Sequence, residues 1–166
     1  SKAQSLSNQL AVENKTTSLM FGIQWDLVMK FIEEKGAKNQ NELKSNSAEW
    51  GNYYNADFDV TGVLYTASVS VPGSELWTKV TSSYTKPAFT SVILTTGATD
   101  RNKVLNIYDL AGNVTEWTLE TLTWQAHNVM RGGRADTWGG GAGLPCARHT
   151  YYSPTLKYCG FRVALY

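Results

Sequence analysis

The stretch from Asn106 to Trp117 constrains the fold more than any other part of the chain. Within it, Ala111–Asn113 is a turn signal, because Gly and Asn both tolerate a positive φ. A turn there brings Asp109 and Glu116, seven positions apart, around one point together with the backbone carbonyls between them. Calcium prefers such a set of side-chain and backbone oxygens. The structural alternative is that Asp109 accepts backbone N–H bonds within the turn and that Glu116 is an exposed strand residue.

Four short motifs follow one another along the chain: residues 19–26 (LMFGIQWD), 108–117 (YDLAGNVTEW), 129–133 (VMRGG) and 160–164 (GFRVA). In order and spacing they resemble the LPTEAEWE helix, the YDMxGNVxEW signature, the RGG strand and turn and the closing GFRVA strand of one family. This is the formylglycine-generating-enzyme-like (sulfatase-modifying factor) family. The first motif is the loosest and shares mainly the Leu, the Trp and the acid after it. The resemblance covers roughly residue 19 to the end.

The resemblance implies an α+β chain with a C-type lectin-like fold of the formylglycine-generating-enzyme type. That fold has an irregular twisted antiparallel sheet, two helices and long loops, and it hosts both enzymes and binding proteins. Since 166 residues is the size of one domain, we expect a single such domain over residues 1–166. The family's N-terminal strand is expected to be missing. Either it has been removed, or another segment covers the edge at residues 160–166.

Composition excludes several classes of function. The net charge is +1 and basic residues form no run, which argues against nucleic-acid binding. Apolar stretches are too short to insert into a membrane. Cys146 and Cys159 are too few for a disulfide scaffold, and unpaired thiols are favoured. The many Trp, Tyr and Gly residues suit a loop-rich fold with aromatic binding surfaces.

Helical periodicity is clearest where apolar residues recur at Phe21, Trp25, Val28 and Ile32. This pattern predicts a helix whose apolar stripe lies in the core, with Gly36 as its natural stop. A shorter amphipathic helix is predicted over residues 3–12, followed by a polar connector at residues 14–18.

The middle of the chain predicts loops and short strands. Residues 37–55 are polar and are interpreted as a loop pinned by one buried Trp, in preference to a sugar-stacking platform formed by residues 50–54. Residues 60–71 alternate β-branched and small side chains, which predicts a strand or one arm of a hairpin. Residues 92–97 predict a short buried strand.

The tail from Arg131 to Tyr166 carries the candidate binding surface. Its glycine run at residues 139–143 cannot be regular strand or helix, so we expect loops between the RGG turn and the closing strand. Tyr and Trp rings on such loops give contact area at low entropic cost. The ligand-binding loops are predicted at residues 134–158, and the candidate contact residues are Arg134, Asp136, Thr137, Trp138, Leu144, Cys146, Arg148, Thr150, Tyr151, Tyr152, Lys157 and Tyr158.

The chemistry of the family's enzymes is expected to be absent. Those enzymes use two cysteines, placed shortly after the glycine pair, that bind copper and activate oxygen. Aligned on Gly132 and Gly133, the chain has Thr137 and about Ala142 at these positions, and neither side chain can ligate copper. The two histidines, at positions 127 and 149, are not at metal-ligand spacing. The sequence therefore predicts that the protein is not an enzyme and holds no copper.

Within the family, the layout resembles the variable proteins of diversity-generating retroelements. These end in a hypervariable segment between an RGG-like turn and a terminal GFR strand. The resemblance implies a ligand-binding or receptor-recognition domain, located on a cell surface, secreted or on a phage particle, that contacts a protein or carbohydrate on another cell or particle. The alternatives are a copper oxidase with relocated cysteines and a structural domain of a surface or virion protein.

The resemblance also bears on the candidate calcium site. Enzymes of the family bind calcium through residues that match Asp109, Gly112, Val114 and Glu116, the middle two through their carbonyls. Here the family's amide is replaced by the acid of Asp109, which keeps an oxygen ligand. A structural calcium ion at these four positions is accordingly one expectation of the sequence.

Overall fold

The computed structural model describes residues 2–60, 64–68, 78–80, 83–122, 127–150 and 159–165. Over these residues the chain is α+β, with short helices and small, mostly antiparallel sheets. The helices are α1 (Lys2–Asn8), α2 (Gly22–Glu34) and α3 (Gln40–Lys44). The strands are β1 (Thr17–Leu19), β2 (Phe58–Val60), β3 (Leu64–Ser68), β4 (Thr78–Val80), β5 (Tyr84–Lys86), β6 (Val92–Leu94), β7 (Lys103–Val104), β8 (Ile107–Tyr108), β9 (Thr115–Thr121), β10 (Asn128–Arg131), β11 (His149–Thr150), β12 (Cys159–Phe161) and β13 (Val163–Leu165).

Helix α2 is the element that the sequence predicted best. Trp25 and Ile32, one side of its apolar stripe, are fully buried in the core. The helix ends before Gly36, which has a φ of +67°, a conformation that glycine adopts without steric cost. Phe21 was expected in the core but is 45% exposed; it is the N-cap residue, with an extended backbone, and so precedes the helix rather than lying on its apolar stripe.

Helix α3 was not predicted, so the described chain has three helices where two were expected. It lies inside the polar segment that was interpreted as a loop. A capping box begins it: the Asn39 side chain accepts from the backbone N–H of Glu42, whose carboxylate accepts from the N–H of Asn39. The prediction for Trp50 is confirmed, because its side chain is buried.

The central sheet has the strand order β11-β10-β9-β12. Strand β10 runs antiparallel to β9, whereas β12 runs parallel to it on the other side. The chain therefore leaves the sheet at one neighbour of β9 and returns at the other. The chain end that leaves β10 and the chain end that enters β12 therefore lie at the same end of the sheet.

The closing strand β13 is covered by β1, with Thr17 opposite Leu165 and Leu19 opposite Val163. Of the two alternatives for this edge, the structure shows the second, in which a segment before the main helix pairs with the closing strand. The sequence interpretation missed it because residues 14–18 are polar. Only Thr17 and Leu19 face inward in a strand of three residues, too short for an alternating pattern to be evident.

The predicted turn at Ala111–Asn113 is confirmed, with φ values of +73° at Gly112 and +65° at Asn113. The Asn113 side chain is the hub of the turn. Its Nδ2 donates to the carbonyl of Leu94 at 2.9 Å, and its Oδ1 accepts from the N–H of Leu94 at 2.9 Å and from Asn52 Nδ2 at 3.0 Å. This side chain therefore joins the turn to strand β6, as a neighbouring strand would.

The middle of the chain forms small antiparallel pairs: β2 with β5, and β3 with β4 and β6. The buried strand predicted within residues 92–97 is β6. The arm predicted over residues 60–71 is described only at its start and over β3, and the rest lies outside the described residues. No helix in the described part of the chain is both long and apolar enough to cross a bilayer.

Candidate functional site

A buried arginine fixes the start of the tail. Arg131, at the end of β10, has a side chain with no solvent exposure, and its Nη2 lies 2.8 Å from Glu120 Oε2 and 3.1 Å from Asp26 Oδ1. Its Nη1 also donates to the Cys146 carbonyl at 3.2 Å. Arg148 pairs with the same two carboxylates. The resulting ring of two arginines and two acids joins the tail to α2 and β9, and its two positive charges balance its two negative charges.

The glycine pair after Arg131 lets the chain turn over a buried tyrosine. Gly132 and Gly133 have φ values of +94° and +75°. A Cβ on Gly133 would overlap the Tyr53 ring and the backbone of Gly143. The Tyr53 hydroxyl donates toward the carbonyls of Gly132 at 3.1 Å and Gly143 at 2.7 Å. Tyr53 therefore holds the two ends of the first tail loop together.

That loop encloses a cleft of about 390 Å³ at the end of the central sheet. The volume is within the usual range for small-molecule sites, roughly 300–1,000 Å³. The described residues that line the cleft are Thr115, Met130, Gly133, Arg134, Asp136, Thr137, Trp138, Gly140, Ala142, Gly143 and His149. Four of the predicted contact residues, Arg134, Asp136, Thr137 and Trp138, are thereby brought together.

The polar side of the cleft is a short, internally bonded turn. The Thr137 hydroxyl donates to the Arg134 carbonyl at 2.8 Å and accepts from the Arg134 N–H at 3.1 Å. The Arg134 guanidinium donates to Asp136 Oδ1 at 2.8 Å. The turn is joined to the framework where the Ala135 N–H donates to the Asn113 carbonyl at 3.0 Å. The cleft thus presents a positive and a negative group in fixed positions.

Trp138 extends the site beyond the cleft into a cluster of three rings, Tyr54, Phe89 and Trp138, which we name the aromatic triad. Centroid separations in the triad are 5.8 Å for Tyr54–Phe89, 6.3 Å for Tyr54–Trp138 and 6.1 Å for Phe89–Trp138. Sequence reasoning did not assign Phe89 to a site, and it left Tyr54 in a pinned loop. Nothing in a local pattern joins positions so far apart in the chain.

The other predicted contact residues lie elsewhere or outside the described residues. Leu144 is buried, the Cys146 thiol contacts the Leu43 carbonyl of α3 at 3.1 Å, and Arg148 belongs to the charged ring on α2. Thr150 lies in β11, next to His149 of the cleft. The remaining positions, Tyr151, Tyr152, Lys157 and Tyr158, are outside the described residues.

The two cysteines are free thiols in different surroundings. Cys146 faces α3, whereas Cys159 lies 3.4 Å from the Met130 sulfur in the central sheet. Burial raises the pKa of both thiols, and that of Cys159 reaches about 12. A raised pKa disfavours the thiolate, which is the form that binds metals and attacks substrates.

A second cavity, of about 400 Å³, lies beside the signature turn. Asp109, Val114 and Glu116 of the predicted calcium set line it, together with Arg162. Gly112 lies against the backbone of Asn52 instead, and its N–H donates to the Gly132 carbonyl at 2.7 Å. Glu116 is 6% exposed, so the alternative interpretation of it as an exposed strand residue is wrong.

Arg162 supplies the positive charge at this second cavity. Its guanidinium donates to both carboxylate oxygens of Glu116, and to the carbonyls of Tyr108 and Asp109 at 3.2 Å. Burial raises the pKa of Glu116, and the guanidinium opposes that rise. As arranged here, the oxygens fit a guanidinium better than a calcium ion, because both Glu116 oxygens are already paired.

One feature of the second cavity still suits a cation. Asp109 Oδ1 accepts from Asn102 Nδ2 at 3.3 Å, while its buried Oδ2 has no hydrogen-bond partner in the described part of the chain. Burial raises the pKa of Asp109 to about 6. No group of three or more His, Cys, Asp and Glu residues within the described ranges is arranged to hold a metal ion. Calcium binding at these positions stays a prediction.

Comparison of this chain with protein-family models, with curated proteins and with solved structures found no match.

Proposed function

We propose that this chain is a non-enzymatic ligand-binding domain that displays its C-terminal loops, residues 134–158, to a protein or carbohydrate on another cell or particle. The single observation that carries the proposal is the cleft. It gathers Arg134, Asp136, Thr137 and Trp138 on loops held by a rigid sheet. Sites of this kind, concave and largely apolar with a few fixed polar groups, are typical of ligand recognition.

A C-type lectin-like fold of the formylglycine-generating-enzyme type is part of the proposal. Its support is the placement of the motifs that carry the resemblance. Residues 108–117 enter β9, residues 129–131 form part of β10, and residues 160–164 span β12 and β13. Strands β10 and β12 both flank β9, so these three motifs, although far apart in the sequence, converge on one sheet.

The absence of catalysis in the proposal is supported by the same cleft. Thr137 and Ala142, the positions that match the family's copper-binding cysteines, both line it. A hydroxyl and a methyl group there offer no thiolate to copper. The cleft is therefore proposed to serve binding rather than redox chemistry.

Diversification by a retroelement is the narrower part of the proposal. A loop segment anchored by Arg131 at one end and by β12 at the other accepts substitutions at positions whose side chains, unlike those of Leu144 and Arg148, make no framework contact. The test is a comparison of sister genes. We expect their differences to concentrate at adenine-derived codons within residues 134–158, and evenly spread differences would contradict it.

Binding itself is tested with the purified, fluorescently labelled chain on a panel of intact bacterial cells. We expect saturable binding to some members of the panel, weakened about tenfold or more by Trp138→Ala combined with Arg134→Ala. Leu27→Ala, a change of an exposed side chain on α2, serves as the control and leaves binding unchanged. Copper-dependent oxygen uptake that is lost in Cys146→Ser would contradict the proposal and favour an oxidase.

A further inference from the structure

The aromatic triad is an exposed patch adjoining the cleft. Phe89 is 61% exposed and Trp138 is 59% exposed, whereas Tyr54 is half-buried between them. The rings are inclined by 58–67° to one another: Tyr54 meets Phe89 and Trp138 edge to face, and Phe89 and Trp138 are tilted relative to each other. More than half of the surface of Phe89 and of Trp138 remains accessible to a ligand. Large apolar side chains that cluster at a surface in this way mark a site of interaction.

The triad is preformed by backbone hydrogen bonds that meet at Tyr54. The Tyr54 N–H donates to the Thr137 carbonyl at 2.9 Å, and the Tyr54 carbonyl accepts from the Phe89 N–H at 2.6 Å. Each ring of the triad is thus carried by a loop that is bonded to the loop of another. Preorganisation of this kind lowers the entropic cost of binding.

A buried lysine reinforces the loop that carries Tyr54. The Lys86 ammonium donates to the carbonyls of Tyr53 and Ala56 at 2.8 Å each, on either side of Tyr54. Lys86 is itself fully buried. Burial of a lysine is costly unless its donors are satisfied, and here these carbonyls satisfy them, so Lys86 holds the loop in place.

Phe89 is also held in a strained backbone conformation. Its φ is +63°, in the left-handed region that side chains other than Gly, Asn and Asp rarely adopt. A glycine would remove that strain, so the phenyl ring is kept at a cost in stability. Strain that the surrounding contacts maintain at an exposed ring is characteristic of functional positions.

The polar groups beside the triad indicate which ligand it accepts. Arg134 and Asp136 form a charge-balanced pair on the cleft wall, next to the Thr137 hydroxyl. A charged ligand would pair with one member and leave the other uncompensated. A hydroxyl both donates and accepts, so it can join the pair without disturbing its charge balance.

We propose that the aromatic triad and the adjoining cleft bind a neutral carbohydrate, with the C–H face of a sugar ring on Trp138 or Phe89 and its hydroxyls toward Arg134 and Asp136. This rests on the proposed function and names the class of ligand. Two of the three rings, Tyr54 and Phe89, lie outside residues 134–158. The platform is therefore a fixed component of recognition, combined with whatever residues the displayed loops carry.

The test uses soluble neutral oligosaccharides of glucose, mannose, galactose and N-acetylglucosamine, with sialylated oligosaccharides for comparison. Binding is measured by calorimetry and by tryptophan fluorescence. We expect at least one neutral sugar to bind, and Trp138→Ala and Phe89→Gly each to weaken it about tenfold or more. Phe31→Ala, which removes another exposed ring on α2, is the matched control and leaves binding unchanged. Thermal unfolding of each variant confirms that it is folded.

The outcomes separate this inference from the proposed function. Binding of cells that requires Trp138, with no neutral sugar bound, overturns the carbohydrate assignment and leaves a protein as the ligand. Preference for sialylated over neutral sugars also overturns it. Sugar binding that Phe89→Gly leaves unchanged, in a folded variant, overturns the role of the triad. A chain that binds neither cells nor sugars contradicts the proposed function itself.

Discussion

At Phe89, the effect of a side chain on the free energy of unfolding depends on the backbone conformation at that position. Its φ of +63° is unfavourable for any residue with a Cβ, and its ring is mostly exposed. We expect Phe89→Gly to be more stable than Phe89→Ala by about 1 kcal/mol, because only glycine relieves the backbone strain. The measurement is urea unfolding of both variants. Equal stabilities would show that the backbone at this position is unstrained or relaxes.

Lys86 predicts a specific dependence of stability on pH. Burial lowers its pKa to about 8, from an ordinary value near 10.5. Between these values the unfolded chain binds more protons than the folded one, so the free energy of unfolding rises with pH. The rise contributed by Lys86 is about 2 kcal/mol between pH 7.5 and 9.5.

Lys86→Met tests this dependence because it removes the ionisable group. We expect unfolding of the variant by urea to lose that rise, whatever its absolute stability. Lys79→Met, at an exposed lysine on β4, is the control and keeps it. A pH profile identical to that of the unchanged chain would show that Lys86 titrates normally.

Individual side chains were predictable where one local rule decides them. The spacing of Trp25 and Ile32 placed both in the core, and Gly-Asn chemistry placed a positive φ at Gly112 and Asn113. Phe89 was not predictable, because its backbone is bonded to Tyr54, a residue far away in sequence. The conformational propensities of neighbouring residues do not predict a hydrogen bond between segments so far apart in the sequence.

Helix α2 and strand β10 are connected by the ring of charges around Arg131. Arg131 has no solvent exposure, whereas Arg148 in the same ring is 45% exposed. We expect Arg131→Met to cost about 3 kcal/mol, because it leaves two carboxylates without their buried partner. Arg148→Met is expected to cost less than about 1 kcal/mol, as water screens that pair. Urea unfolding gives both values, and similar costs would contradict the assignment of Arg131 as the anchor.

Among the elements, the sequence revealed those with a strong period and missed those defined by caps or pairing. The 13-residue helix α2 repeats its apolar pattern, whereas α3 has five residues and is defined by the capping box of Asn39 and Glu42. A search for Asn followed three positions later by Glu would have found it. Strand β1 is defined by its pairing with β13, which no local pattern contains.

Arg162 links the closing strands to the signature turn, so its replacement tests the whole framework. We expect Arg162→Gln to cost about 3 kcal/mol, because the buried Glu116 loses its counter-ion. With the guanidinium gone, the carboxylates and nearby carbonyls form a set of oxygens that suits calcium. Millimolar calcium chloride is therefore expected to raise the Tm of this variant, and magnesium to raise it less.

The unchanged chain provides the test of calcium at the second cavity in its native form. A Tm that falls on addition of a chelator would show that the ion binds beside Arg162. A Tm that calcium does not change in either the native chain or Arg162→Gln would contradict a cation site at these oxygens. Thermal unfolding monitored by fluorescence gives the Tm of the native chain with chelator and with calcium, and of Arg162→Gln with calcium and with magnesium.

For the whole molecule, the sequence predicted an α+β chain and a loop-bearing tail but only part of the site. Arg134, Asp136, Thr137 and Trp138 were identified because they follow a glycine pair that ends a strand. Tyr54 and Phe89 were not, because the three loops that carry the triad come from distant parts of the chain and meet only in the folded structure. Convergence of this kind is a property of topology rather than of any segment.

Strand β9 has consequences for how this protein could be altered. The chain leaves the sheet on one side of it and returns on the other, so both ends of the intervening connection are fixed whatever its length. Doubling such a connection adds only about 0.6 kcal/mol of closure entropy. Gly141 lies on it, and a side chain added there would meet no other atom within 4 Å. A foreign peptide inserted at this position would be exposed on the loop without disturbing the sheet, which makes this chain a candidate scaffold for peptide display.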